Sequence, residues 1–86
     1  MRQTAPNTSG PVVQPEIVAW LKEANAALAE KKYDEAAAKY DAVLAKEPTN
    51  LRALSNLGVV RYRQQRFDEA EQALKKAIEI DRKSVV

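Results

Sequence analysis

The chain has 86 residues, 45% of them hydrophobic and 30% charged, a balance typical of one small folded domain. It contains neither cysteine nor histidine, which excludes disulfides, thiolate metal sites and histidine-based catalytic pairs. Fourteen lysine and arginine residues against twelve acidic ones leave a net charge of +2, too little for a dedicated nucleic-acid-binding protein. We therefore expect no enzyme, no cofactor and no metal.

The segment 1–14 differs in composition from the rest of the chain. It holds two prolines, a glycine and a cluster of Thr, Asn and Ser, with no helical or alternating period. We interpret it as a flexible N-terminal tail or linker, followed by one domain over 15–86. No apolar run is long enough for a membrane span and no secretory signal is evident, so a soluble, by default cytoplasmic, protein is predicted.

Two helices are predicted in the first half of the domain. Pro15 and Glu16 suit the first turn of a helix over about 15–30. Asp34 is a good N-cap for a second helix over 34–46, which must end before Pro48. The apolar stripe of the first helix follows a 3-4-3 spacing through Ile17, Trp20, Leu21, Ala24, Ala27 and Leu28.

Two further helices are predicted in the second half. Thr49 and Asn50 can cap a third helix over 51–64, and Asp68 can begin a fourth over 68–82. The last helix carries an apolar stripe formed by Leu74, Ala77, Ile78 and Ile80.

The two halves repeat each other. The sequence YDEA begins at Tyr33 and FDEA begins at Phe67, 34 residues later. When the two halves are aligned at this spacing, small residues align with small ones and large residues with large ones. Ala24 aligns with Gly58, and Tyr40 aligns with Leu74. A 34-residue period made of one helical hairpin is typical of the tetratricopeptide repeat, and the chain resembles that family over 17–84.

The resemblance implies an all-α fold with repeats at 17–50 and 51–84. Two helix-turn-helix hairpins of antiparallel helices would stack as a short right-handed solenoid, as in a fragment of a longer array. Glu23 replaces an expected leucine, which indicates a terminal repeat with a partly solvated outer side. Arg61 stands at an aromatic position, and Arg82 at a proline position, so the last helix can run past Asp81.

The resemblance also places function on the inner surface, which the first helix of each repeat lines. That surface carries three cations and no carboxylate, so we expect a protein or peptide partner that is acidic. The predicted peptide-binding residues are Lys22, Asn25, Arg52, Asn56, Tyr62 and Arg63. The two asparagines match the carboxylate clamp of chaperone-binding relatives, but Leu21 occupies the clamp's first lysine position and a third repeat is missing.

Two other interpretations of charged residues are disfavoured. Arg61, Tyr62 and Arg63 suit nucleic acid in principle, but cations at a helix C-terminus favour the helix dipole and Tyr62 falls on the apolar stripe. The pair Asp34 and Glu35, like its repeat at 68–69, is explained by helix starts better than by catalysis.

Self-association is the alternative function. Two repeats are fewer than usually make a stable stack, and no polar capping helix is evident after Ile80. The stripe Leu74, Ala77, Ile78 and Ile80 would then pair copies of the chain into a homo-oligomer.

Overall fold

The computed structural model describes residues 14–84 and contains four α-helices in that part of the chain. They are α1 (Pro15–Ala29), α2 (Tyr33–Lys46), α3 (Leu51–Arg63) and α4 (Phe67–Ser84). The prediction of an all-α fold of two hairpins is confirmed, and α4 does continue past Asp81. The predicted N-terminal tail lies outside the described residues except for Gln14.

The two hairpins turn in the same way. Lys31 and Gln65, 34 residues apart, have positive φ angles of 64° and 65°. In each turn the next amide reaches back five residues, from Lys32 to the Ala27 carbonyl and from Arg66 to the Arg61 carbonyl, both at 2.8 Å. This is the hydrogen bond that closes a helix end around a left-handed residue. The 34-residue repeat therefore extends to backbone conformation.

This turn corrects the predicted starts of two helices. Asp34 and Asp68 were expected as N-caps, but α2 begins at Tyr33 and α4 at Phe67, so both aspartates lie inside the first helical turn. The N-cap position of α2 is Lys32, which makes no side-chain capping bond. Because a single left-handed residue is enough to turn the chain, the next helix begins one residue before the aspartate. The carboxylates still favour the positive end of the helix dipole.

The expected cap of α3 is confirmed. The Oδ1 atom of Asn50 accepts a hydrogen bond from the Ala53 amide at 2.9 Å, and its Nδ2 atom donates to Glu47 Oε1 at 2.8 Å. One side chain therefore satisfies a free amide at the helix start and holds the residue before Pro48. This fixes the connection between the two hairpins.

The main core cluster joins α1, α2 and α3, and α4 packs on α3 through the buried alanines Ala70, Ala73 and Ala77. Small residues line the helix crossings, and Ala24, Ala36 and Ala53 are fully buried. At Gly58 an added Cβ would lie 2.6 Å from Leu74 Cδ2, so glycine leaves the room that α4 needs. The largest fully buried side chains are Tyr40, Val43 and Val60.

Arg61 joins the two hairpins from the position where an aromatic was expected. Its side chain is only 17% exposed. The guanidinium lies 3.4 Å from Asp41 of α2 and 3.2 Å from Glu69 of α4, and it donates to Gln64 Oε1 at 3.0 Å. Gln64 in turn donates to Asp34 Oδ1 at 2.6 Å. A polar network thus replaces aromatic packing between the repeats.

Replacing Arg61 by alanine should lower the free energy of unfolding by about 1–2 kcal/mol, since several charge-assisted contacts are lost at a largely buried position. Arg66→Ala is the matched control, because Arg66 is 54% exposed and contacts the same Glu69 at 3.6 Å. The control should change stability by less than about 0.5 kcal/mol. Urea unfolding measures both, and equal losses would contradict the inter-repeat role of Arg61.

Candidate functional site

One side of α1 and the same side of α3 form a continuous surface, which we call the α1/α3 face. A helix brings residues three, four, seven and eleven positions apart onto one side. The face is formed by Val18, Lys22, Asn25 and Ala29 of α1 and by Arg52, Asn56, Val59 and Arg63 of α3. All of these are exposed except Asn56, which is half-buried.

Two asparagines connect the halves of the face. Asn56 Nδ2 donates to Asn25 Oδ1 at 3.2 Å, and the hydroxyl of the buried Tyr40 donates to the same oxygen. Two donors on one oxygen fix the orientation of the Asn25 amide. Among residues 14–84, Asn25 Nδ2 and Asn56 Oδ1 have no protein partner. The face therefore presents an amide donor beside an amide acceptor.

Three cations on this face lack carboxylate partners. Within the described chain, Lys22, Arg52 and Arg63 form no ion pair. Helix α3 contains no acidic residue at all, as its sequence LRALSNLGVVRYR shows. The α1/α3 face is consequently positive without internal compensation.

The two carboxylates of α1 form ion pairs with lysines of α2, away from the α1/α3 face. Glu16 lies 3.4 Å from Lys46, and Glu23 lies 2.7 Å from Lys39, and both lysines belong to α2. These ion pairs keep the two acidic side chains of α1 on the α2 side of the helix. Charge is thus separated across α1, although the net charge of the whole chain is only +2.

Tyr62 lies apart from the other predicted peptide-binding residues. At 100° per residue it is about a quarter turn around α3 from Arg63. Its ring packs edge to face on Phe67, with centroids 5.3 Å apart. Both rings are more than half exposed, at 60% and 55%. Tyr62 therefore belongs to the corner between α3 and α4, and the α1/α3 face lacks an aromatic.

A second surface lies at the far side of the last hairpin, which we call the C-terminal face. It exposes five large apolar side chains: Leu51, Tyr62, Phe67, Leu74 and Ile78. Of the four residues predicted for self-association, Leu74 and Ile78 are exposed, whereas Ala77 is buried and Ile80 is half-buried. Ala77 therefore packs inside the hairpin and is not available at this surface.

The internal repeat explains why this face is apolar. The residues 34 positions earlier are Ile17, Leu28, Tyr33, Tyr40 and Leu44. Ile17 and Tyr40 are buried in the core that α1, α2 and α3 share, and the other three are half-buried and pack against it. Equivalent side chains in repeat two lack such a helix within the described residues.

The concavity at the hairpin corners is less suited to a ligand. It is lined by Lys31, Lys32, Tyr33, Asp34, Glu35, Gln64 and Arg66. Several of its charged groups already have partners, since Lys32 lies 3.1 Å from Glu30 and Asp34 accepts from Gln64. Its charges are mixed and largely satisfied, in contrast to the unpaired cations of the α1/α3 face.

The described residues offer neither a metal site nor a membrane span. Over 14–84 no three acidic side chains come together in a way that would hold a metal ion. In the same range, none of the helices combines the length and the apolar character that crossing a bilayer requires.

Comparison with protein families gives a match to the tetratricopeptide repeat over residues 21–85. The chain belongs to the tetratricopeptide repeat family. The comparison with curated proteins gives no match. Tetratricopeptide repeats generally mediate protein–protein interaction and are typically scaffolds without enzymatic activity. The resemblance predicted from the 34-residue period is thus confirmed, together with the coarse function that it implies.

The buried hydroxyl of Tyr40 predicts that the stability of this tetratricopeptide repeat depends on pH. Burial raises the pKa of its hydroxyl above the ordinary value of about 10, and the Asn56 amide opposes part of the rise. Because the folded-state pKa is the higher one, the stabilisation is fully present below about pH 10 and is lost as the pH rises through the folded value.

Tyr40→Phe should therefore destabilise the protein by about 1 kcal/mol at neutral pH, through loss of the bond to Asn25. The difference in unfolding free energy between the two proteins should shrink above about pH 10. Urea unfolding across the alkaline range measures it, and a difference that stays constant or grows with pH would contradict this role of the hydroxyl.

Proposed function

We propose that this tetratricopeptide repeat protein is a scaffold whose α1/α3 face binds an acidic segment of a partner protein. The observation that carries the proposal is the presence of three cations, Lys22, Arg52 and Arg63, without carboxylate partners in the described chain. Most of the other cations in residues 14–84 do pair with a carboxylate, as Lys39 does with Glu23. An acidic segment would supply the missing charge.

The spacing of the cations suits an extended peptide. Arg52 and Arg63 are eleven positions apart on α3, which is about 16 Å along the helix axis. An extended chain covers that distance in about five residues. A segment with two carboxylates at roughly that separation would reach both guanidinium groups. The open shape of the face suits a peptide better than a small molecule.

The asparagine pair would hold the main chain of such a segment. Within residues 14–84, Asn25 Nδ2 is a free donor and Asn56 Oδ1 a free acceptor, and the contact between the two residues holds them next to each other. A peptide carbonyl and a peptide amide present the complementary groups. Tyr40 would act as a positioning residue, because its hydroxyl fixes the Asn25 oxygen from beneath. Main-chain contacts would give affinity, and the cations would select acidic side chains.

The test uses a short glutamate-rich peptide and its glutamine counterpart. The glutamate peptide should bind more tightly, with an affinity that falls as salt concentration rises. In an Arg52→Glu/Arg63→Glu variant its affinity should fall by about tenfold or more, since two attractive contacts become repulsive. Isothermal titration measures all four combinations.

The control keeps the same change in net charge. Lys76→Glu/Lys83→Glu alters two exposed lysines on α4, away from the α1/α3 face. It should leave the affinity for the glutamate peptide within about twofold, apart from a long-range effect that salt screens. Equal losses in the two variants would mean that total charge, and not this face, determines binding.

Self-association through α4 is a second candidate function. The exposure of Leu74 (39%) and Ile78 (59%), next to the exposed Tyr62 and Phe67, favours it. Contiguous apolar surface of this kind marks an interaction site in soluble proteins. The partner would be another copy of the chain, and the α1/α3 face would remain open for the acidic segment.

Sedimentation over a range of concentrations tests this second candidate. The protein should shift from monomer to dimer, and Leu74→Ser/Ile78→Ser should weaken association by about tenfold or more through lost apolar burial. Val18→Ser/Val59→Ser is the matched control, because those two valines are each 39% exposed on the α1/α3 face. A wild-type protein that stays monomeric throughout would contradict self-association.

A further inference from the structure

The contact between the two repeats defines what a stacked partner must present. Where α3 packs on repeat one, Ala37 and Leu57 are both buried in the core. The residue that corresponds to Ala37 in repeat two is Glu71, and the residue that corresponds to Leu57 in repeat one is Glu23. Each outer end of the two-repeat stack therefore carries a carboxylate where the internal contact carries an apolar side chain.

These substitutions disfavour head-to-tail stacking of copies. Such a stack would bring the α1 side of one copy onto the C-terminal face of the next and remove both carboxylates from water. Glu23 already has a partner in Lys39 at 2.7 Å, while Glu71 lies 3.7 Å from Lys75 on the surface. Burying two like charges in one contact is unfavourable unless each finds a cation there. Open-ended growth of the stack is thus opposed.

The C-terminal face is nevertheless apolar around Glu71. On α4, Glu71, Leu74, Ile78 and Arg82 lie three, seven and eleven positions apart, so they share one side of the helix. The stripe is acidic at one end, apolar in the middle and basic at the other. Within the described residues Arg82 forms no ion pair. A copy of this stripe turned by 180° is complementary to the original.

We propose that the C-terminal face binds a second copy of the chain through a two-fold, antiparallel contact between the α4 helices. This rests on the second candidate function, self-association. Leu74 of each copy meets Ile78 of the other, and Glu71 of each copy meets Arg82 of the other. Phe67 lies four positions before Glu71 on the same side of α4, and Tyr62 packs on its ring, so the two aromatics extend the apolar surface beside the contact. The two-fold arrangement closes at two subunits, as isologous interfaces do.

Charge exchange tests the two-fold contact. In sedimentation, Glu71→Arg and Arg82→Glu should each weaken the dimer by about tenfold or more, because each creates two like-charged contacts per dimer. The double variant Glu71→Arg/Arg82→Glu should restore association, since both signs reverse together. If both single variants dimerise like the wild type, or the double variant stays as weak as the singles, the two-fold contact is wrong even though self-association holds. A wild type that is monomeric at every concentration overturns self-association and the two-fold contact together.

Disulfide trapping supplies an independent measurement, because the chain contains no cysteine. Leu74→Cys and Ile78→Cys proteins, mixed and oxidised, should form mainly the mixed cross-linked dimer. Glu23→Cys mixed with Leu74→Cys tests the head-to-tail arrangement and should cross-link little. Glu23, Leu74 and Ile78 are all exposed, Leu74 the least at 39%, and helicity by circular dichroism checks that each variant folds. Efficient cross-linking through position 23 instead of 78 would overturn the proposal.

Discussion

The packing of α3 against α2 is the contact on which the rest of the structure depends. This contact joins one hairpin to the other, and Ala37, Ala53 and Val60 belong to the buried core that spans it. Arg61 adds an ion pair to Asp41 across the same junction and a second one to Glu69 within its own hairpin. Because this contact fixes α1 and α3 relative to each other, it places Asn25 and Asn56 within hydrogen-bond distance. The geometry of the α1/α3 face follows from it.

Charge is arranged around this junction by ion pairing more than by composition. Lysines of α2 hold Glu16 and Glu23, so the other side of α1 is left with Lys22 and no carboxylate. Helix α3 contributes cations only. A positively charged surface can therefore exist on a chain with a net charge of only +2. The two outer ends of the two-repeat stack differ from the contact between the repeats. Glu23 and Glu71 stand there at positions that correspond to the buried Leu57 and Ala37. We interpret these carboxylates as a device against uncontrolled stacking.

Much of this fold could be predicted from the sequence, because the 34-residue period repeats side-chain size at the helix crossings. The helices were predicted to within two residues at each end, and the Asn50 cap was found from residue type alone. The left-handed turns at Lys31 and Gln65 could not be predicted, since neither residue type favours that conformation. Because these turns were not predicted, the starts of α2 and α4 were placed at Asp34 and Asp68, one residue too late.

The candidate site was only partly predictable for a related reason. The resemblance to the family predicted Lys22, Arg52 and Arg63 on one surface. The Tyr40 hydroxyl that orients Asn25 comes from another helix, and its position depends on packing. Tyr62 illustrates the opposite case: its residue type suits binding, yet Phe67 draws it to the corner. The sequence showed Arg61 as a departure from the family pattern. Its network of contacts could not be predicted, because it depends on how α2, α3 and α4 are placed relative to one another.

The proposed role of the α1/α3 face is tested most directly by amide chemical-shift mapping of the intact protein with a glutamate-rich peptide. If the face binds the acidic segment, the largest shifts should fall on α1 and α3 around Lys22, Asn25, Asn56 and Arg63, and the side-chain amides of both asparagines should move. Shifts concentrated at the hairpin corners or along α4, with α1 and α3 unchanged, would contradict the account.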